Sequence, residues 1–261
     1  MDRYARWNAL LEILAEQGRI TVEEAAERLE VSQATIRRDF DQLAQQQMIT
    51  RTRGGAVANT VSYDLPLRYK SARKVGEKQR VGAAAAGLVT PGMVVGMNGG
   101  TTTTEVARSL ASRPDLMQNT DGSALTIVTN ALNIANELIV RPHVKIVVTG
   151  GVVRPQSYEL IGPLATGVLR ELTLDVCFLG VDAVDVALGA AAHHEGEAAI
   201  NGLMVARSRR VVILADSSKL GRHAFARICP IDRVETLITD TGASDEAVAP
   251  FEEAGITVMR V

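Results

Sequence analysis

Seven short apolar runs, separated by segments of helical periodicity, constrain the fold of this chain more than any other feature. The runs have the length of strands and occupy residues 93–98, 125–129, 144–149, 176–181, 211–215, 236–239 and 257–261. Between most of them lie helix-period segments, at 102–111, 131–140, 160–171, 195–207 and 245–253. Apolar strands that alternate with helices are typical of a parallel sheet covered on both faces. The larger part of the chain is therefore predicted to be a mainly parallel α/β domain.

The first part of the chain has a different texture, polar, rich in Glu, Gln and Arg, and helical in period. We expect a domain at 1–57, a linker at 58–75 and the α/β domain at 76–261. No apolar run approaches the length needed to span a bilayer, and the N-terminus lacks the features of a signal peptide, so we expect a cytoplasmic protein without membrane contact. The two cysteines, Cys177 and Cys229, are far apart and are read as buried thiols.

Two capping signals in the first domain predict a helix-turn-helix. Thr21, with Glu24 three residues on, forms a capping box that starts a second helix, and Ser32 is placed to cap a third helix from Gln33 to about Gln46. The apolar side chains of the third helix fall on one side, which should face the core: Ile36, Phe40 and Leu43.

The opposite side of this third helix is suited to DNA. Arg38 points almost directly away from the core side, and Arg and Gln side chains can make paired hydrogen bonds to guanine and adenine. A following hairpin at 48–57, with a Gly54-Gly55 turn, reads as a wing. The candidate contacts to double-stranded operator DNA are Ser32, Gln33, Thr35, Arg37 and Arg38 on the helix and Arg51 and Arg53 on the wing.

The distribution of charge supports this interpretation. The whole chain has a formal net charge of −2, but residues 31–80 hold ten Lys and Arg against four acids, whereas residues 1–30 hold four Arg against seven acids. Positive charge is therefore concentrated on the recognition helix, the wing and the linker, where DNA would lie. The alternative is a three-helix module that binds another protein.

An ordered set of segments resembles the DeoR family of bacterial sugar-operon regulators. It begins with 31–40 (VSQATIRRDF) and 51–56 (RTRGGA), and continues with 100–103, 128–130, 150–155, 161–163, 175–180 and 214–219. The resemblance implies a winged helix followed by a sensor domain similar to sugar-phosphate isomerases. It also implies a homodimer or homotetramer that acts as a repressor released by a phosphorylated sugar. The chain departs from the family pattern at Phe40, where the family usually has Leu, and at Asn201, where a Lys is frequent.

The turn from Asn98 to Thr104 is the principal candidate for binding that effector. Glycines let the backbone approach an anion, and the free N–H groups and dipole of a helix start can hold it, with threonine hydroxyls as further donors. The spacing is neither that of a Walker A loop nor that of a dinucleotide fingerprint. The candidate residues in this turn are Asn98, Gly99, Gly100, Thr101, Thr102 and Thr103. Without the resemblance, the same residues could simply form a strand–helix turn.

Other candidates lie at further strand ends and helix starts. Asn130 follows the second strand, and Gly150 with Gly151 follows the third; the glycine pair is either a close-approach point or only a tight turn. Carboxylates of Asp182 and Glu197 could accept sugar hydroxyls and Lys219 could pair with a phosphate, the alternative being exposed salt bridges. No metal ion or cofactor is called for, since the adjacent His193-His194 pair lacks a third ligand and is read as loop surface.

Two functions remain to be weighed. A ligand-gated regulator that is not an enzyme is favoured by the helix-turn-helix and by the resemblance. The second possibility is a sugar-phosphate isomerase-like enzyme with an accessory DNA-binding domain, in which Asp182, Glu197 and Lys219 would supply acid–base groups. An activator in place of a repressor is a third possibility that the sequence leaves open.

Overall fold

The computed structural model describes residues 2–46, 48–58, 67, 74–117 and 124–261. The chain divides into two compact units, Met1–Ala72 and Arg73–Val261. Most of the expected linker, residues 59–66 and 68–73, lies outside the described residues. No helix in the described part of the chain is both long and apolar enough to cross a membrane.

The first unit is a winged helix. Its elements are α1 (Arg3–Gln17), β1 (Arg19–Thr21), α2 (Val22–Arg28), α3 (Gln33–Gln45), β2 (Ile49–Thr52) and β3 (Gly55–Ala58). The strands form an antiparallel sheet in the order β1-β3-β2. The predicted wing hairpin is confirmed as β2 and β3, whereas the short strand β1 was not predicted.

Both capping predictions are confirmed. The Thr21 hydroxyl accepts from the Glu24 backbone N–H while the Glu24 carboxylate accepts from the Thr21 N–H. The Ser32 hydroxyl oxygen accepts from the Thr35 N–H at 3.1 Å. These contacts satisfy N–H groups that a helix start leaves without partners, and so they fix where α2 and α3 begin.

A buried carboxylate locks α1 onto α3. Asp39 is 2% exposed and accepts hydrogen bonds from the Trp7 indole N–H at 2.8 Å and from the guanidinium of Arg6. The hydrogen bond that Arg6 donates to the Asp39 carboxylate raises the pKa of Arg6. Around it lies the apolar core of the unit, which includes the predicted face of α3: Trp7, Leu10, Leu14, Ile36, Phe40 and Leu43.

The second unit is an α/β domain. In chain order its helices are α4 (Val75–Gly87), α5 (Thr101–Ala111), α6 (Pro114–Met117), α7 (Leu132–Leu138), α8 (Thr166–Arg170), α9 (Glu195–Ala206) and α10 (Asp245–Glu253). Its strands are β4 (Val94–Met97), β5 (Leu125–Thr129), β6 (Val144–Val148), β7 (Val152–Arg154), β8 (Glu159–Ile161), β9 (Leu174–Gly180), β10 (Ala183–Asp185), β11 (Gly189–Ala192), β12 (Ser208–Leu214), β13 (Ala226–Cys229), β14 (Thr236–Thr239) and β15 (Thr257–Arg260).

All seven predicted strands lie in one parallel sheet. Its order is β15-β14-β12-β9-β4-β5-β6, and every neighbouring pair is parallel. The chain adds strands outward from β4 in one direction and outward from β9 in the other. The order therefore reverses between β4 and β9, and in open α/β sheets ligands bind outside the carboxyl ends of the strands at such a reversal.

Alternate residues of the central strand enter two separate cores. Val176 and Phe178 of β9 pack with α4, α5 and α7, whereas Cys177 and Leu179 pack with α8, α9 and α10. This alternation follows from the two-residue period of a strand, and it explains why the strands read as continuous apolar runs. Cys177 and Cys229 are both free, buried thiols, as expected.

The predicted helix at 160–171 is wrong over its first half. Residues Glu159–Ile161 form β8, which pairs with β7, and a 3₁₀ turn at Pro163–Ala165 leads to the short helix α8. The cause is Gly162, whose φ of 87° is left-handed, followed by Pro163. A helix cannot run through this pair of residues.

Replacing Asp39 with Ala should destabilise the winged-helix unit by about 3–5 kcal/mol, because the partly buried Arg6 cation and the Trp7 N–H would lose their acceptor. Trp7 is the single tryptophan of the chain, so its fluorescence during urea unfolding reports on this unit.

The matched control is Asp41→Ala, which removes an exposed carboxylate of the same helix, one that pairs with Arg51. Its cost should stay within about 1 kcal/mol. Equal losses for the two variants would contradict the structural role given to Asp39.

Candidate functional site

The exposed face of α3 presents the side chains predicted to read DNA. Gln33, Arg37 and Arg38 are exposed, and the guanidinium of Arg37 donates to the Gln33 side-chain oxygen at 3.3 Å. Arg38 makes no side-chain hydrogen bond or ion pair with any residue that the structure describes. Ser32 and Thr35 share the cap at the start of the helix, with their hydroxyl oxygens 2.9 Å apart. The first turns of α3 therefore expose the Arg38 guanidinium, whose N–H donors have no partner among the described residues. An exposed arginine at the start of a recognition helix is suited to the major groove.

The two wing arginines differ in what they do. Arg51 pairs with Asp41 at 2.9 Å, donates to the Gly55 carbonyl at 3.1 Å and lies 5.6 Å from the centre of the Phe40 ring. It therefore ties the wing to α3. Arg53 is exposed beside Gly54, whose φ of 87° forms the turn. Of the two, Arg53 is the side chain free to extend toward a phosphate.

The remaining predicted site residues lie where parallel strands end, at one edge of the sheet. The 98–100 turn follows β4, Asn130 follows β5, Gly150 and Gly151 follow β6, Asp182 follows β9 and Lys219 follows β12. Glu197 lies in the first turn of α9. Because the carboxyl ends of parallel strands meet at one edge, the fold brings these residues to the same side of the domain.

Asn98 spans the reversal in strand order. Its side-chain N–H donates to the Gly180 carbonyl and its oxygen accepts from the Gly180 N–H, both at 2.8 Å. The amide is buried and both of its polar groups are engaged. Asn98 therefore joins the end of β4 to the end of β9, and it positions the turn that follows it.

The turn after Asn98 leaves the start of α5 open to an anion. Gly100 precedes the helix with a φ of 145°, and no side chain caps it. The N–H groups of the first helical turn, from Thr101 onward, have no intrahelical acceptors and attract negative charge. The hydroxyls of Thr103 and Thr104 both donate to the Gly100 carbonyl, so the Thr103 hydroxyl proton that we expected to face an anion is engaged inside the turn.

Glu159 lies in this site, although the sequence analysis did not select it. It is 2% exposed, and its carboxyl oxygen accepts the Gly99 N–H at 2.6 Å. Burial, together with the nearby charges of Glu197 and Asp182, raises the pKa of Glu159 to about 8. The carboxyl is therefore mainly protonated at neutral pH.

The three other charged residues predicted to contact the effector are each held by a hydrogen bond or an ion pair within the α/β unit. Glu197 pairs with Arg154 at 3.1 Å, and Asp182 accepts the His193 backbone N–H at 2.9 Å. Lys219 donates to the Val181 carbonyl at 2.6 Å. All three predicted side chains are partly buried. They are more enclosed than exposed surface salt bridges would be.

Several side chains differ from what the sequence suggested. His194 is the N-cap of α9 and its Nδ1 accepts the Gly196 N–H at 3.1 Å, so it is not merely loop surface. Gly151 has a φ of 122°, and a Cβ there would come within 2.8 Å of the Ile161 carbonyl oxygen. Gly150 is exposed. The pair forms the turn between β6 and β7.

Within the described residues, no group of three or more His, Cys, Asp or Glu side chains is arranged to hold a metal ion.

A winged helix with an exposed basic reading face, joined to an α/β unit with an open polar edge, defines the class of DNA-binding transcriptional regulators. The chain belongs to the DeoR family. Residues 6–62 match the DeoR-like helix-turn-helix domain, and residues 73–241 match the DeoR C-terminal sensor domain.

Curated relatives cover nearly the whole chain. The putative aga operon transcriptional repressor of Escherichia coli O157:H7 is 32% identical over 98% of this chain and 93% of its own length. The glycerol-3-phosphate regulon repressor of Escherichia coli K12 is 31% identical over 92% of each chain. A regulator from Haloferax volcanii, GlpR, is 33% identical over 97% of this chain and 96% of its own. These relatives are named as regulators, in agreement with the expectation that the chain is not an enzyme.

Solved structures give weaker similarities. Ribose 5-phosphate isomerase A from Methanocaldococcus jannaschii covers 54% of this chain, which spans 52% of that enzyme, with 20% identity and a TM-score of 0.40. The full-length sorbitol operon regulator SorC from Klebsiella pneumoniae covers 96% of this chain, which spans 99% of the regulator, with 12% identity and a TM-score of 0.38.

The stability of the α/β unit should fall as the pH rises toward about 8, because the unfolded state then ionises Glu159 while the folded state keeps the buried carboxyl protonated. The pKa of Glu159 is higher in the folded state, so its contribution to stability is complete below its unfolded pKa and is lost above the folded one. Glu159→Gln cannot ionise and should lack this loss. Calorimetric melting from pH 6 to 9 measures the difference.

The matched control is Glu252→Gln, the same chemical change at an exposed glutamate of α10. It should keep the pH dependence of the original chain. If Glu159→Gln and Glu252→Gln show the same pH dependence, then Glu159 ionises at an ordinary pH.

Proposed function

We propose that this protein represses a carbohydrate catabolism operon and is released from its operator by a phosphorylated sugar or polyol. The observation that carries the proposal is the uncapped start of α5 at the reversal of strand order, in a chain whose other unit is a winged helix. The name of one curated relative links it to a phosphorylated polyol, glycerol 3-phosphate.

In the proposed mechanism, the phosphate of the effector accepts hydrogen bonds from the N–H groups of Thr101 and Thr102 and from their hydroxyls. These hydroxyls make no hydrogen bond with any described residue. The helix dipole adds to the attraction, which falls off within the first turn. Asp182, Glu197 and Lys219 would contact the remainder of the effector at the same edge of the sheet.

On the DNA side, we propose that the protein acts in the cytoplasm as a homodimer or homotetramer. Two copies of α3 would then enter successive major grooves, about 34 Å apart. The effector must bind the conformation that does not fit the operator more tightly, because a ligand with equal affinity for both conformations shifts nothing.

The test is fluorescence anisotropy of the full chain on DNA from upstream of its own gene and its neighbours. It is run at two salt concentrations, with and without glycerol 3-phosphate and a set of hexose phosphates. Tight, salt-sensitive, sequence-selective binding that one phosphorylated compound releases is expected. Binding that the compound strengthens, with transcription rising, would identify an activator. Turnover of a sugar phosphate well above background would favour the isomerase-like alternative.

Arg38→Ala should weaken operator binding by about 1–3 kcal/mol and relax the preference at one base pair, because in this proposal the exposed Arg38 donates to a base edge. Titrations on operators with single base changes measure this. Arg209→Ala, which removes the same charge from an exposed side chain of the α/β unit, should leave binding unchanged. Equal weakening of Arg38→Ala on every sequence would instead make Arg38 a phosphate contact.

Thr101→Pro should raise the effector concentration needed for half-release by about tenfold or more, while operator binding stays intact. Proline removes the first N–H of α5 and is tolerated at the first position of a helix. A hydrogen bond to a charged group is worth about 1.5–3 kcal/mol. Thr101→Ala, which removes only the hydroxyl, is the control and should have a smaller effect. If release by both variants matched the original chain, the phosphate would not bind at α5.

A further inference from the structure

Three buried side chains next to the open start of α5 hold polar atoms that nothing in the described chain satisfies. They are the second carboxyl oxygen of Glu159, the side-chain oxygen of Asn201 and both polar atoms of the Asn130 amide. The three residues are at most 2% exposed. Buried polar atoms are nearly always hydrogen-bonded in native proteins, so a cluster without partners calls for a ligand or ordered water.

The fold brings the three residues near one another from separate elements. Glu159 comes from β8, and its neighbour Leu160 donates its backbone N–H to the Asn130 carbonyl at 2.6 Å. Asn201 comes from α9, and a hydrogen bond between its side chain and the Glu159 carboxyl lowers the pKa of Glu159 against the larger effects of burial and neighbouring carboxylates. One Glu159 oxygen binds the Gly99 N–H, which belongs to the anion-binding turn. Glu159 and Asn201 are therefore continuous with that turn, and Asn130 is linked to them through the main chain.

The charges that face Glu159 are mainly negative. Glu197 from α9 and Asp182 after β9 both raise the pKa of Glu159, and the guanidinium of Arg154 from β7 is paired with Glu197. A protonated carboxyl both donates and accepts a hydrogen bond, as does an Asn amide. Such neutral groups match hydroxyls. An ionised carboxylate at this place would repel a nearby phosphate.

We propose that Glu159, Asn201 and Asn130 recognise the hydroxyl groups of the effector, so that the site selects a polyhydroxylated phosphate over inorganic phosphate. This inference rests on the proposed phosphate site at the start of α5. It adds two specificity-determining residues, Glu159 and Asn201, neither of which was among the effector contacts predicted from the sequence. A consequence is that effector affinity declines as Glu159 ionises above neutral pH.

The experiment is isothermal titration calorimetry of the full chain with inorganic phosphate, glycerol 3-phosphate and a set of hexose 6-phosphates. Glu159→Met and Asn201→Leu remove the polar groups at nearly constant volume. Glu159→Gln separates ionisation from loss of the polar group, because it keeps a neutral group that can donate and accept. The matched control is Glu252→Gln, at an exposed glutamate of α10. Circular dichroism checks that each variant is folded.

The tightest sugar or polyol phosphate should lose about tenfold or more in affinity with Glu159→Met and with Asn201→Leu, since each leaves a hydroxyl unpaired. Inorganic phosphate should change by less than about twofold. Glu159→Gln should lose less affinity than Glu159→Met at pH 7 and should lack the decline at pH 9 that the original chain and Glu252→Gln show. If Glu159→Met fails to fold, Asn201→Leu and the pH arm of Glu159→Gln still decide the outcome.

Other outcomes separate the two proposals. Equal losses for inorganic phosphate and the sugar phosphate would show that Glu159 and Asn201 only support the turn, and would overturn hydroxyl recognition. Unchanged affinities would overturn it as well. If the original chain bound inorganic phosphate as tightly as every sugar phosphate, the phosphate site would stand and the hydroxyl subsite would fall. No binding of any phosphorylated compound would overturn the effector site itself, and this inference with it.

Discussion

The pair of hydrogen bonds between the Asn98 amide and the Gly180 backbone is the interaction on which the geometry of the α/β unit depends. The sheet reverses its order between β4 and β9, so the chain leaves these two neighbouring strands in opposite directions. A crevice opens at such a point because the two following connections diverge. The Asn98 amide holds the ends of β4 and β9 together at this crevice. Helix α5 begins three residues later, at Thr101, so these hydrogen bonds also help to position its start.

The β7–β8 hairpin, which lies outside the parallel sheet, supplies a buried carboxyl beside the turn at 98–100. The hairpin contributes Glu159, whose carboxyl reaches the Gly99 N–H. Gly99 is required there, since a Cβ would lie 2.5 Å from the Cγ of Glu159. The turn at 98–100 and the buried carboxyl beside it are therefore one packed unit. Any change in the position of the hairpin would also change the turn.

Sequence patterns predicted the parts of the fold that depend on local periodicity. The apolar runs of the seven sheet strands and the caps at Thr21 and Ser32 are local signals, and they were found within a few residues of their observed bounds. Helix α4 was missed because its Ala- and Gly-rich sequence lacks an apolar stripe. Its Gly82 is explained only by tertiary packing, since a Cβ would lie 2.7 Å from the backbone of Glu105 in α5. Local sequence patterns do not predict a contact between two helices such as this one.

The residues of the candidate site also fall into those that local sequence patterns predict and those that depend on tertiary contacts. The strand-end residues could be predicted, because parallel topology alone places them at one edge of the sheet. Glu159 could not, since its neighbours in sequence read as the start of a helix, and its burial exists only once the hairpin has folded over the turn. The same holds for Asp39, a charged residue of the amphipathic helix α3, which becomes the acceptor for Arg6 and Trp7 only when α1 packs on α3. In both units, a buried carboxyl whose partners come from distant parts of the chain fixes the element that we propose to bind a ligand. Tertiary contacts, rather than local periodicity, therefore set the positions on which recognition depends.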